Sequence, residues 1–371
     1  MAAQKQFFIL LRTGLWGGEA NTADFPENTD WKAIFSLARQ QTVEAIICDG
    51  LATLPANLQP EPALLYRWYA YTVKIEQSHE LLNQRLLEII TFLQSEGLHP
   101  VLLKGQGIAQ NYPIPNHRHC GDIDIYLNEK EYKTGYEAVQ KLDINPEDEP
   151  DSIKHYHFKF KGVDIELHRM AAHLNNPIRN KRFQRWAKQH LSDINLRRCN
   201  IGKVEVLLPP VNFDILFIFI HTFHHFIFGG VGLRQLCDWA ICLHRFNSDI
   251  DLKILKQTLK SFGLVRAWNI FGFVAVKYLG LPEAEMPFYI KQNPKTAEKI
   301  LSVILKDGNF GYYGRTSKPS KIYLIKKLQS LIYIQKRLCQ LFYLFPKETV
   351  TYSIMHFIIG IRQVLTDWIK K

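Results

Sequence analysis

The chain has 371 residues, of which 47% are hydrophobic, so it is long enough for two or three folded regions around a large core. Six scattered cysteines without a Cys-x-x-Cys pair argue against a structural zinc site and a disulfide framework, and favour the reducing cytoplasm. The formal net charge is +11, and residues 315–371 contribute +9 of it, from eleven Lys or Arg less two acids. We therefore expect attraction to anions to lie at the C-terminus.

Residues 1–96 are predicted to be helical. Residues 31–38 have the apolar spacing of an amphipathic helix, and residues 81–93 repeat it over a longer run. Residues 97–208 are predicted to carry a mixed sheet, with a strand at 203–208. Residues 209–371 are predicted to form a C-terminal helical domain with a basic tail, so the expected fold class is α+β.

The most apolar segment of the chain is residues 213–228. Asp214 and the histidines at 221, 224 and 225 interrupt it. A membrane-spanning helix needs about 20 residues with few or no charges. We therefore predict a buried helix here and not a membrane span.

A short apolar run at residues 100–103 predicts a buried strand that leads into a glycine turn. Gly105 and Gly107 stand where the chain must turn into the next helix. Glycines at such a position let backbone N–H groups approach a phosphate closely. The segment therefore predicts a phosphate-holding turn.

A pair of acids follows on the next predicted strand. Asp122 and Asp124 alternate with Ile123 and Ile125, so the two carboxylates project from one face of the strand. Two neighbouring carboxylates repel each other, and a divalent cation relieves that repulsion. Alternatively, such a pair is a charge device that protects an edge strand from aggregation.

A third acid is expected on the predicted hairpin over residues 156–168. Asp164 and Glu166 share one face of its second strand. We favour Glu166, because apolar residues on both sides anchor it in mid-strand, whereas Asp164 lies close to the turn. Phosphoryl and nucleotidyl transfer are the reactions that need three acids around two metal ions.

The segments 103–107, 121–125 and 165–168, with Tyr112-Pro113 and Arg118 between them, resemble a bacterial nucleotidyltransferase family with a Leu-Lys-Gly opening. This family is a branch of the DNA polymerase β-like superfamily. The resemblance implies a polymerase β-like mixed sheet flanked by N-terminal and C-terminal α-helical domains. It also implies transfer of a nucleotide from an NTP to a hydroxyl acceptor, with release of pyrophosphate and with Mg²⁺ or Mn²⁺ as cofactor. By this resemblance the catalytic and metal-binding residues are Asp122, Asp124 and Glu166.

The same resemblance assigns the nucleotide contacts. Gly105 matches the glycine of the triphosphate-binding turn, and Gln106 stands where a serine is usual. Lys104 could replace the missing hydroxyl contact with a charge directed at the phosphates. Arg118 fits a triphosphate contact and a structural ion pair equally well.

The helical half suggests a different metal site. His221 and His225 share a helical face, and Asp238 could add a carboxylate, as in a metal-dependent phosphohydrolase. No His-Asp doublet accompanies them, so we favour domain packing or an acceptor pocket for His221, Arg234 and Asp238. We also expect Arg234 and Asp238 to pair at i,i+4.

The acceptor stays open among a small hydroxylated molecule, a glycan precursor, a peptide or protein, and an RNA end. The basic segment at residues 315–371 fits a packed helix pair with a basic outer face, an anionic membrane surface or an acidic polymer. Nucleic acid is the weakest candidate, because no RNA-binding motif is present. The expected location is cytoplasmic, peripheral at the inner membrane face. The competing function is a non-catalytic binding or scaffold protein that acts through its basic residues Lys318, Lys321, Lys326, Lys327, Lys336 and Arg337.

Overall fold

The computed structural model describes residues 2–142, 155–314, 320 and 323–369. Helices and one mixed sheet make up this part of the chain, as expected for an α+β protein. The strands are β1 (Val101–Leu102), β2 (Asp122–Tyr126), β3 (His155–Phe160), β4 (Val163–His168), β5 (Arg197–Ile201) and β6 (Val204–Leu208). The helices are α1 (Ala2–Trp16), α2 (Trp31–Gln41), α3 (Glu44–Ala52), α4 (Pro62–Ser95), α5 (Gln106–Ala109), α6 (Tyr132–Gln140), α7 (Pro177–His190), α8 (Val211–Phe228), α9 (Leu233–Arg245), α10 (Leu252–Phe262), α11 (Val265–Val274), α12 (Pro294–Asp307), α13 (Tyr323–Phe342) and α14 (Pro346–Ile369).

The two helices predicted near the N-terminus are confirmed as α2 and the second half of α4. Asp30 caps α2 by accepting a hydrogen bond from the Ala33 N–H. Pro62 stands at the first turn of α4, where its missing N–H costs nothing. The N-terminal helices share one hydrophobic core with α8, α9 and α11. The domain boundaries at residues 96 and 208 stay a prediction.

The six strands form one sheet in the order β3-β4-β2-β1-β6-β5. β2 and β4 run parallel, and β3 and β4 form an antiparallel hairpin. Lys161 and Gly162 connect this hairpin with positive φ angles of 48° and 86°, as a type I′ turn requires. The predicted strands at 100–103, 122–127, 156–168 and 203–208 are therefore confirmed.

One strand was not predicted. β5 pairs antiparallel with β6 around Gly202, whose φ is +60°. Its sequence, Arg-Arg-Cys-Asn-Ile, carries three polar residues and only a short alternation, of Cys199 and Ile201 with Arg198 and Asn200. It forms a strand because it is an edge strand, where backbone pairing with β6 suffices and most side chains stay solvated.

The apolar helix α8 lies inside the fold, as predicted. By length and composition it could cross a membrane, and so could the bent pair Leu252–Phe262 with Val265–Leu279. However, 67% of the α8 window is buried within the protein. Its Phe219 packs on Trp239 of α9 and on Trp268 of α11.

Arg337 does not belong to the basic outer face that one interpretation of the C-terminal segment implied. Arg337 is buried, pairs with Asp307, and donates from Nε to the Phe226 carbonyl at 3.0 Å. It therefore fixes α13 to the ends of α8 and α12. Lys336 is exposed. Lys318 and Lys321 and the side chains of Lys326 and Lys327 lie outside the described part of the chain.

Candidate active site

The parallel pairing of β2 with β4 brings three acids together. In this register Asp124 lies beside Glu166, and Asp122 precedes Asp124 by two residues on the same face. Ile123 and Ile125 on the opposite face are fully buried in the core under the sheet. One carboxylate oxygen of each acid lies within 4.8 Å of the others. The pair and the hairpin acid thus form one carboxylate cluster.

Of the two acids on β4, Glu166 joins this cluster. Asp164 turns away from it, with Oδ1 2.7 Å from Lys159 Nζ and 3.2 Å from His157 Nε2. Both partners lie on the hairpin strand β3, so the charge of Asp164 is neutralised locally. Glu166 is therefore the third acid of the cluster, as its position in mid-strand suggested, and Asp164 beside the turn is not.

Two basic side chains compensate the acids. Lys104 Nζ lies 3.0 Å from Asp124 Oδ1, and His168 Nε2 lies 2.8 Å from the same oxygen and 3.1 Å from Glu166 Oε2. Burial would raise the pKa of Asp124, but Lys104 and His168 lower it below its ordinary range. Burial would lower the pKa of His168, but its carboxylate partners raise it to about 9. Sequence analysis did not assign His168 to the site, although it continues the alternation of Asp164 and Glu166.

The cluster still carries more negative charge than its partners balance. The pKa of Asp122 is raised, first by the charge of Asp124 and then by burial. Asp124 is 1% exposed, and its Oδ2 is buried without a hydrogen-bond partner in the structure. A cation would remove the repulsion and give this oxygen a partner. The donor set therefore fits a divalent cation.

The glycine turn lies beside the acids. Gly105 has φ +59° and ψ −118°, a conformation that side-chain-bearing residues rarely adopt, and it precedes the four-residue helix α5. A Cβ at this position would lie 3.5 Å from the Asp122 carbonyl oxygen. Gln106 is fully buried, and its amide N and O have no hydrogen-bond partner in the structure. Its side chain does not line the cleft described next, so the structure does not place it at a nucleotide.

An open cleft of about 300 Å³ lies over the acids. Glu166 and His168 form one wall, and His221, His224 and His225 of α8 form the other. This volume is at the lower end of small-molecule sites, about 300–1,000 Å³. A larger cavity of about 580 Å³ lies between α2 and α4, but it has one acid among its described lining residues. The larger of these two cavities is therefore not the one that contains the carboxylate cluster.

Arg118 lies in a buried ion pair. Its Nη2 is 2.7 Å from Asp238 Oδ2 and its Nε is 3.0 Å from Oδ1, a bidentate contact. The Tyr112 hydroxyl donates to Asp238 Oδ1 at 2.7 Å. Of the two roles proposed for Arg118, this geometry favours the structural one. The predicted i,i+4 pair of Arg234 with Asp238 is wrong, because Arg118 occupies both oxygens of that carboxylate.

Arg234 is a second arginine beside the glycine turn. Both Arg118 and Arg234 line, with Gly105 and Asp122, a small pocket of about 40 Å³ that adjoins the cleft, but Arg118 is paired with Asp238. It donates to the His119 carbonyl oxygen, whereas its Nε is buried without a partner in the structure. Burial and the nearby charge of Arg118 lower its pKa. Sequence analysis gave Arg234 a packing or acceptor-pocket role. Nothing in the local sequence indicated that Arg118 pairs with Asp238 and so leaves Arg234 without that carboxylate.

The alternative metal site on the helices does not form. Asp238 is committed to Arg118, and within the described ranges the metal-capable groups are Asp122, Asp124 and Glu166, and His155, Glu166 and His168. Burial, with the nearby charge of Lys104, lowers the pKa of His221 well below its ordinary value, so this histidine is neutral. It lines the cleft opposite the acids, a position compatible with an acceptor pocket.

The glycine turn after β1, the two acids on β2 and the third acid on the neighbouring strand β4 are the features that carried the resemblance to nucleotidyltransferases in the sequence. A protein-family model described as uncharacterised nucleotidyltransferase matches residues 27–280. The match covers more than half of the chain and includes all three acids, so the chain belongs to this nucleotidyltransferase family. No curated protein and no solved structure matches it significantly.

Proposed function

We propose that this protein is a metal-dependent nucleotidyltransferase that moves a nucleoside monophosphate from an NTP to a hydroxyl acceptor and releases pyrophosphate. The observation that carries the proposal is the register of β2 and β4, which joins Asp122, Asp124 and Glu166 in one cluster. The succession of strand, glycine turn, Asp-x-Asp strand and third acid supports a polymerase β-like arrangement.

The three acids differ in exposure, and their proposed roles follow from it. The Asp124 side chain is 1% exposed, whereas that of Glu166 is 24% exposed at the cleft. Asp122 and Asp124 hold the cation, and Glu166 either completes the cation site or accepts the proton of the acceptor hydroxyl. Bound Mg²⁺ or Mn²⁺ would neutralise the triphosphate and activate the attacking oxygen.

Lys104, Gly105 and Arg234 form the proposed triphosphate subsite. They lie together around the small pocket beside Asp122. The conformation of Gly105 lets the backbone approach a phosphate, and the two side chains supply positive charge. The sugar and base would extend into the cleft toward α8, where His221 could contact the nucleotide or the acceptor.

Pyrophosphate release tests this proposal. The purified chain is incubated with each of the four NTPs and Mg²⁺ or Mn²⁺, with a cell lysate fraction as acceptor source. We expect metal-dependent release from at least one NTP, loss of release in Asp124→Asn, and retention in the control Asp164→Asn, whose acid pairs with Lys159. NTP binding without pyrophosphate release under all conditions would favour the non-catalytic binding protein.

The C-terminal segment is proposed to dock the enzyme on an anionic membrane surface at the cytoplasmic face. Residues 315–371 carry a charge of +9. Ile325, Leu328 and Ile332 form an exposed apolar stripe on α13, and α14 exposes Ile354 and Phe357. Apolar and basic residues together favour an anionic lipid interface over a soluble acidic polymer, which would need the charge alone.

Vesicle sedimentation tests this docking. Lys326, Lys327 and Lys336 are changed to Glu, and exposed Lys253, Lys256 and Lys260 of α10 are changed to Glu in a charge-matched control. The first variant should lose binding to phosphatidylglycerol vesicles, the control should keep it, and the binding should fall with salt. Equal binding by both variants, or binding of polyphosphate but not of vesicles, would contradict membrane docking.

A further inference from the structure

We propose that His155, Glu166 and His168 form a second cation site with two imidazole ligands, which selects a transition-metal ion such as Fe²⁺ or Zn²⁺ over Mg²⁺ and also admits Mn²⁺. The site adjoins the carboxylate cluster and shares Glu166 with it, so this inference rests on the proposed function. It goes beyond that function because it names the kind of ion that the shared acid would hold.

The hairpin places the three ligands. His155 on β3 is the direct antiparallel partner of His168 on β4, and their ring centroids are 5.0 Å apart. Glu166 precedes His168 by two residues and projects from the same face. The two oxygens of Glu166 face different histidines: Oε1 lies 3.9 Å from His155 Nε2, and Oε2 lies 3.1 Å from His168 Nε2. One ligand atom of each residue lies within 4.8 Å of the others.

The surroundings admit an ion. All three side chains line the cleft of about 300 Å³, which is open to solvent and leaves room for further ligands from water or phosphate. His168 is 7% exposed, and its Nδ1 is buried without a hydrogen-bond partner in the structure. An ion bound at Nε2 would replace the proton that His168 shares with Asp124 and Glu166. No hydrogen bond from Nδ1 fixes the ring against the small rotation that this ligation would need.

The donor chemistry decides the kind of ion. Mg²⁺ prefers oxygen ligands and keeps several waters, whereas imidazole nitrogen suits transition-metal ions such as Fe²⁺ and Zn²⁺. Mn²⁺ is the weakest-binding ion of that series and serves here as the spectroscopic probe. Asp122, Asp124 and Glu166 offer only oxygen, but His155, Glu166 and His168 offer two nitrogens and a carboxylate. The face of the sheet therefore presents two ligand sets of different character that share one acid.

Mn²⁺ binding to the full chain, followed by electron paramagnetic resonance, tests this site. Free Mn²⁺ is counted from its aqueous signal, and pulsed spectra report ¹⁴N nuclei bound to the ion. His155→Asn is the test variant, since the His155 side chain is 30% exposed and the change should leave the fold intact. His157→Asn is the matched control, because His157 lies two residues along the same strand and contacts Asp164 instead.

We expect ¹⁴N coupling from two imidazoles in the parent chain, coupling from a single imidazole with a fall of about tenfold or more in Mn²⁺ affinity in His155→Asn, and no change in His157→Asn. Mg²⁺ affinity should be the same in all three proteins. Bound Mn²⁺ without ¹⁴N coupling in the parent would overturn this site and leave the carboxylate cluster intact. Full coupling in His155→Asn would overturn it too, since the nitrogen would come from another residue. Failure to bind Mn²⁺ at all would overturn this site, and binding of Mg·NTP by the same chain would show that the proposed function is unaffected.

Discussion

Two groups of buried charge in this protein differ in how well they are balanced. In the Arg118 and Asp238 pair, a bidentate guanidinium contact and the Tyr112 hydroxyl satisfy both carboxylate oxygens. In the carboxylate cluster, three acids face Lys104 and His168, and one oxygen of Asp124 has no partner in the structure. In this balanced pair, protein groups already compensate both charges. The carboxylate cluster has negative charge that no protein group balances, so it can bind a cation and, through the cation, a substrate in the cleft.

The largest expected effect is on the balanced pair. Arg118→Ala should lower the free energy of unfolding by about 3–5 kcal/mol, because it leaves Asp238 charged and buried. Urea denaturation measures this loss. The control is Arg198→Ala, whose pair with Glu205 is exposed and should cost about 1 kcal/mol or less. If Arg118→Ala is as mild as the control but abolishes NTP binding, Arg118 is a triphosphate contact and the comparison fails.

Glu44 is a buried acid that belongs neither to the Arg118 and Asp238 pair nor to the carboxylate cluster. It therefore shows what burial does to a carboxylate in this protein. Its Oε2 has no partner in the structure, and burial raises its pKa to about 7. The folded state thus favours the protonated acid, and this stabilisation is complete below pH ~4.5 and lost as the pH rises through about 7. Above that pH, Glu44→Gln should be more stable than the parent by up to about 3 kcal/mol. The measurement is the free energy of unfolding of both proteins as a function of pH. If the difference between Glu44→Gln and the parent does not change with pH, burial does not raise the pKa of Glu44.

The two acids on β4 give the next largest effect. Glu166→Gln should lower turnover about 100-fold, because its carboxylate acts on the cation or on the attacking hydroxyl, and should leave triphosphate binding largely intact. Asp164→Asn should change turnover less than about threefold, since Asp164 contacts Lys159 and His157. Steady-state pyrophosphate release measures both. The opposite ranking would mean that the acid of the cluster is misassigned.

The strands of the sheet and the acids that they carry could be predicted from the sequence. Asp122, Asp124 and Glu166 lie in short alternating runs that turns delimit, so the face of each residue follows from its parity along the strand. The same parity holds for His168, which sequence analysis could have added. The hairpin turn at Lys161 and Gly162 fixed the register from local signals alone.

The side-chain contacts of the helical part of the protein could not be predicted from the sequence in this way. Asp238 pairs with Arg118, which lies 120 positions away, although Arg234 is the neighbour that helical spacing suggests. Gln106 and Arg337 are both buried, in a turn and a helix whose local sequences suggested exposure or ligand contact. Such contacts depend on how distant elements pack, and a single sequence carries no local pattern that reports it.

The most direct test of the carboxylate cluster is calorimetric titration of Mg·NTP into the parent chain, Asp122→Asn, Asp124→Asn and the control Asp164→Asn. Circular dichroism of each variant checks that the fold is retained. We predict that the parent and Asp164→Asn bind Mg·NTP with the same affinity, and that both cluster variants lose binding by about tenfold or more because the cation loses a ligand. Folded cluster variants that bind Mg·NTP as tightly as the parent would contradict the assignment of this site.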